Sequence, residues 1–188
     1  MYGHTQVNMW NYIRRYELMP KFIISYVKYV DYLSIKFGRA AMYLIFVMIG
    51  TLLLGTITRN VFDFPLSWTV ELAQFTITAY YILGGPYSMI THDHVRMDLI
   101  YDRYSDKTKA KIDIFTSMFL MFYLVVLLLG AISSTSYAIE YGQRKFSQWN
   151  PSMIPIKVIM TFGIFLMILQ TLSTFFKDIA KARGIEIK

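Results

Sequence analysis

Glu71 is the residue of this sequence best placed to do chemistry, because it stands inside an apolar stretch. A carboxylate in such a stretch is costly and usually faces protein or a water-filled path. On a helical wheel Glu71, Gln74, Thr78, Tyr81 and Gly85 share one face. Lipid cannot satisfy those polar groups, so the face is expected to pack on protein. Two roles suit Glu71: proton or ion coupling, or a structural contact near the outer membrane surface with Arg59 across a short loop. The structural contact is the favoured reading. His92, Asp93, His94 and Asp98 form a second cluster, whose imidazoles and carboxylates suit a metal by type. Such a group at the end of an apolar run is more often a solvated or capping element, and that reading is preferred.

Enzymatic chemistry has little to stand on. The chain has no cysteine, which excludes disulfides, thiolate ligands and thiol nucleophiles. Ser133, Ser134 and Ser136 lie in an apolar run without a nearby histidine. No P-loop, nucleophile–base pair or metalloprotease helix is visible. The three histidines, His4, His92 and His94, all lie outside the middle of the apolar runs. A membrane haem needs axial ligands there, so an electron-transfer anchor is disfavoured. No cofactor is expected.

The elements that must carry these residues are membrane helices. Of 188 residues, 55% are hydrophobic and 16% charged, against roughly a quarter charged in soluble domains. Four runs reach the ~20 residues needed to span a bilayer: about 40–58, 69–91, 114–139 and 154–176. The first strong run begins near Ala40, too late for a cleavable signal peptide. Ahead of it, Pro20 to Phe37 reads as an amphipathic helix. Phe22, Tyr26, Tyr29, Val30, Leu33 and Phe37 fall on one side, and Lys21, Ser25, Lys28 and Asp31 on the other. That pattern suits a helix lying in the membrane interface or packed on a partner. Ser105 and Asp106 look like the start of a short surface helix before the third span. The expected fold is all-α, with four spans preceded by an interfacial helix. Residues 1–39 form the N-terminal region, 40–176 the membrane domain and 177–188 a tail.

Charge sets the orientation. Fifteen lysines and arginines fall on the termini and the loop between spans two and three, and four on the other side. Basic loops stay cytoplasmic, which puts both termini inside. The net charge of +7 is read as attraction to an anionic inner leaflet. Nucleic acid is not expected, since the basic residues are scattered between apolar runs.

Span three carries Gly130, Ser133, Tyr137 and Glu140 at spacings of three and four, and span four carries Gly163, Met167, Gln170 and Thr174 in the same rhythm. Such stripes mark helix packing in membranes. A pore lining is the alternative, and an autonomous channel or small transporter the corresponding function. It lacks duplicated halves and paired broken helices.

Three stretches carry a family resemblance: RNVFDFPLSWTVELAQF (Arg59 to Phe75), HDHVRMDLIYDRYSDKTKAKID (His92 to Asp113) and QWNPSMIPIKVIMTFGIFLMILQ (Gln148 to Gln170). The chain resembles the small membrane subunit of tripartite ATP-independent periplasmic (TRAP) transporters over all four spans. The family's usual elements correspond to Arg59, Trp68, Glu71, His94, Asp98, Gly163 and Gln170. Val70 stands where many members have a first acid of a pair. The resemblance implies two protein partners in a bacterial inner membrane. One is a large membrane subunit that carries the substrate and sodium sites and moves as an elevator. The other is a periplasmic binding protein that delivers a substrate, usually a carboxylate. The small subunit would anchor the static part. Arg59, Trp68, Glu71, Gln74, Thr78, His94, Asp98, Glu140, Gly163 and Gln170 are the candidate partner-interface residues. No substrate, catalytic or metal site is expected on this chain.

Overall fold

The computed structural model describes residues 21–91 and 106–182. They form four α-helices: α1 (Lys21–Val61), α2 (Ser67–Ile90), α3 (Asp106–Glu140) and α4 (Ile154–Ala182). Three of these are long and apolar enough to cross a membrane, over Lys21–Val61, Ile112–Glu140 and Ile154–Ala180. α2, the expected second span, is long enough at 24 residues but less apolar. Glu71, Gln74, three threonines and three tyrosines dilute it.

The expected interfacial helix and first span are one continuous helix. α1 has 41 residues, about 62 Å at 1.5 Å per residue, roughly twice a hydrocarbon core. No proline interrupts it, and Gly38 is followed by Ala40, Ala41 and Met42, which favour helix. The buried stripe also differs from the wheel. Val27, Val30, Ser34, Gly38 and Ala41 face inward, whereas Phe22 and Tyr29 are exposed. Likewise, the residues from Asp106 are not a separate surface helix but the first turns of α3. α4 runs past the expected end at 176 to Ala182.

α1 and α2 are antiparallel neighbours, joined by a short turn in which Asp63 takes a left-handed conformation (φ 51°). Asp tolerates that region better than most residues, and Pro65 follows, where a helix cannot continue. Gly38 meets Tyr87 at one end of the pair, and Gly55 meets Thr69 at the other. α2 and α4 run parallel: Gly85 touches Met167, and Thr171 bonds the Met89 sulfur. Pro86 has no N–H to give the Ile82 carbonyl, and Gly163 of α4 packs directly against Ile82. A Cβ on Gly163 would lie 2.1 Å from Ile82 Cγ2. α3 packs antiparallel on α4 and makes no comparable contact with α1 or α2. Thr135 and Thr161 hydrogen bond across that pair at 2.8 Å. α4 is therefore the hub, with α1 and α2 on one side and α3 on the other. Most other threonines return their hydroxyls to the carbonyl four residues back, as in Thr51 to Val47 and Thr76 to Leu72, which removes their cost in an apolar layer.

Candidate functional site

The densest polar site joins the first half of α1 to the second half of α4. Ser34 and Gln170 face each other in the core, each with 0% exposure. Ser34 Oγ donates to Gln170 Oε1 at 2.8 Å. That bond orients the amide, so Gln170 Nε2 points at Asp31 and donates to its Oδ1 at 3.0 Å. Ser173 Oγ donates to the same oxygen at 3.1 Å, and Lys177 Nζ to Oδ2 at 2.5 Å. Tyr26 closes one flank by donating to the Leu169 carbonyl at 3.2 Å and setting its ring edge-on to Phe176. Phe37 does the same against Phe162 on the other flank. Every lone pair this clasp needs is supplied from the two facing helices. It holds no reactive group exposed to a substrate and works as a fastening. Of its polar members, only Gln170 was among the candidates. The signal for the others was the matching spacing Asp31-x-x-Ser34 and Gln170-x-x-Ser173-x-x-x-Lys177, which becomes legible once the helices are known to face each other.

The expected residues are dispersed. Gln170 and Gly163 are occupied inside the chain, by the clasp and by Ile82. Glu71 is buried at 7% exposure, and its Oε2 has no hydrogen-bond partner among the described residues. Arg59 makes no ion pair with it; the guanidinium is exposed beside an open cleft of about 450 Å³ lined by Asn60, Pro65, Ser67 and Thr69. Trp68 is half-buried in the first turn of α2, and Thr78 Oγ1 donates to the Gln74 carbonyl at 2.8 Å. Gln74 and Glu140 are exposed. His94 and Asp98, with His92 and Asp93, lie outside the described residues. The structure thus does not gather the candidates into one site.

The α3–α4 connection, where the family stretch from Gln148 begins, was given no structure from sequence, and it is well organised. Gly142 (φ 54°) and Asn150 (φ 50°) take left-handed turns. The two sides of the loop meet in an isolated antiparallel bridge of Arg144 with Ser152, closed by Lys145 N to Pro151 O and Met153 N to Gln143 O, both at 3.0 Å. Lys145 Nζ reaches α2 and donates to Gln74 Oε1 at 2.6 Å. Lys157 Nζ braces the base, donating to Gln143 Oε1 and to the Ser134 carbonyl. Phe146 stands fully exposed at the tip. The signal was a run of turn formers, Gly142, Asn150 and Pro151, between two apolar runs.

Long apolar helices fastened by internal polar contacts define a small helical membrane protein. The sequence pattern of the family "Tripartite ATP-independent periplasmic transporters, DctQ component" matches residues 48–181, and the chain belongs to that family, the small permease component of TRAP transporters. The family works with a large permease and a periplasmic binding protein. No curated protein matches the chain.

Proposed function

We propose that this chain is the static scaffold of its transporter, holding the large permease in the bacterial inner membrane while that subunit moves substrate. The transport is taken to be ion-coupled, with sodium as the expected ion and an organic acid as the cargo. The observation that carries this reading is the clasp: Asp31, Ser34, Gln170, Ser173 and Lys177 satisfy one another between α1 and α4. Polar groups committed to holding helices together are not free to bind cargo. The outward faces of α1 and α3, with Tyr43, Phe46, Leu53, Phe119, Phe122 and Leu129 exposed, suit lipid and partner helices.

In this reading α2 crosses the bilayer too, since it lies along α1 from Gly55 to Gly38. Four crossings then leave both termini in the cytoplasm. The surfaces offered to the large subunit are the exposed candidates Arg59, Gln74 and Glu140, together with His94 and Asp98. The chain reconstituted alone into proteoliposomes is expected to give no uptake, and uptake is expected only with the large permease and the binding protein added. Substrate flux through this chain by itself would sink the scaffold reading. The unpartnered oxygen of Glu71 favours a second role within the same complex, proton or ion coupling. Glu71→Gln separates the two: intact assembly with coupling lost would support the second role.

A further inference from the structure

The cleft between the end of α3 and the α3–α4 connection points to a ligand of its own. It is open, of about 830 Å³, and its lining includes Tyr137, Tyr141, Arg144, Lys145, Phe146 and Asn150. Small-molecule sites span roughly 300–1,000 Å³. Two cations and no carboxylate line it, so it selects an anion. Lys145 is engaged with Gln74, whereas no side-chain partner holds the Arg144 guanidinium among the described residues. Backbone bonds fix the loop on both sides of it, at Gln143 and Lys145. Arg144 is therefore presented on a rigid support with its fork of donors free.

The level of the cleft identifies the kind of anion. The apolar span of α3 ends at Glu140, and Tyr137 and Tyr141 bracket that end. Their rings lie against each other, tilted by 33° with centroids 4.5 Å apart, and both are more than half exposed. Tyrosines with exposed rings at the end of a span sit at headgroup depth. Below them α3 offers Gly130, where an added Cβ would meet nothing within 4 Å, and exposed Ser133 and Val126. Gly130 and Ser133 thus leave open space on the same face of α3 as Tyr137 and Tyr141.

We propose that this cleft binds the phosphodiester headgroup of an anionic phospholipid. Arg144 holds the phosphate, the Tyr137 and Tyr141 hydroxyls donate to it, and an acyl chain lies along α3 at Gly130 and Ser133. A lipid held there would lie beside Lys145 and so beside the loop's tie to α2. The site does not depend on the transport role.

The test uses the full chain in nanodiscs of equal phosphatidylglycerol and phosphatidylcholine, with retained lipid read by native mass spectrometry. Phosphatidylglycerol is expected to be retained in preference. Arg144→Gln should cut that retention about tenfold or more, the range of one charge-assisted bond. Arg144→Lys should keep part of it, and Tyr137→Phe with Tyr141→Phe should lower it less. Arg59→Gln, which removes one cation from a different cleft, should leave lipid retention unchanged. Equal retention of the two lipids, or unchanged retention in Arg144→Gln, would overturn the proposal. So would displacement of the lipid by millimolar inorganic phosphate, which would assign the cleft to a soluble anion.

Discussion

Removing the Asp31 carboxylate should loosen the joint between α1 and α4, and the cost can be worked from the contacts. Asp31→Ala leaves Gln170 Nε2 and Ser173 Oγ without their acceptor, on residues with 0% exposure. An unsatisfied buried donor costs about 1–3 kcal/mol. Interhelical bonds in membranes measure less, about 0.6 kcal/mol on average and about 1.7 at most, because the separated helices find other partners. These two donors have no water to turn to, so the upper part of that membrane range applies. The Lys177 pair, with side chains 29% and 21% exposed, adds at most about 1 kcal/mol, since lysine can recover water. The total is about 2–4 kcal/mol. Asp31→Asn keeps one carbonyl acceptor and should cost about half as much. Steric trapping of the full chain in bicelles measures both. The pair Asp31→Ala and Gln170→Ala should fall short of additivity, because each removes the same bond. A loss below about 0.5 kcal/mol for Asp31→Ala, or strict additivity of the pair, would refute the clasp as the joint.

Gly163→Ala is expected to cost about 1–3 kcal/mol, the range for overpacking, since its Cβ would stand 2.1 Å from Ile82 Cγ2; the companion change Ile82→Ala should recover part of that loss in the same unfolding assay. Lys145→Ala should cost under about 1 kcal/mol, because its bond to Gln74 is exposed, while raising hydrogen exchange at Lys145 and Met153. Single cysteines placed at Phe22 and Phe146 in this cysteine-free chain should report opposite sides. A membrane-impermeant maleimide added to whole cells with a permeable outer membrane should label position 146 and spare position 22, and the reverse pattern would invert the topology. Glu71→Gln should leave stability within about 1 kcal/mol of the parent, because Oε2 has no partner to lose.

Much of the fold was legible because membrane helices announce themselves by composition. The runs at 114–139 and 154–176 lie inside α3 and α4. Their ends were misjudged for a physical reason: hydropathy marks the apolar layer, not the hydrogen-bonded helix. Asp106 to Asp113 carries three lysines and an alanine, good helix formers, so α3 continues through a stretch too charged for lipid. The same holds for α4 from Lys177 to Ala182. α1 misled the wheel because the face that counts was chosen by its neighbour. Asp31, placed on the polar side with Lys21 and Lys28, turns inward because Gln170, Ser173 and Lys177 wait there. A wheel knows only the average chemistry of a face, and a clasp depends on which donor lies opposite which acceptor. Gly163 and Gln170 were legible as packing residues, while the neighbour they pack on is α2 or α1 of the same chain.

The arrangement around α4 bears on how such a chain would resist a moving partner. Interiors packed at side-chain level shift between discrete arrangements more readily than they deform continuously. α4 is held to α1 by the clasp and to α2 by the close approach at Gly163, and Gln170 and Gly163, seven residues apart, lie on one stripe of α4 that touches both helices. Because α1 and α2 also pack on each other, a force on either is met by a second contact as well as by the one to α4. Among the described residues, the main contact of α3 is its seam with α4, in which Thr135 and Thr161 bond each other and Thr161 also reaches the Ala131 carbonyl. Stability should consequently differ across the bundle, with α3 the first helix to detach. Under the scaffold proposal, the large subunit would do most for α3: packing on its exposed face would supply the second contact that the chain itself does not give it. Trapping α3 from α4 in the isolated chain should then take less free energy than trapping α1 from α4, and addition of the large subunit should close the gap. An α3 already as firmly held as α1 in the isolated chain would remove this reason for placing the partner there.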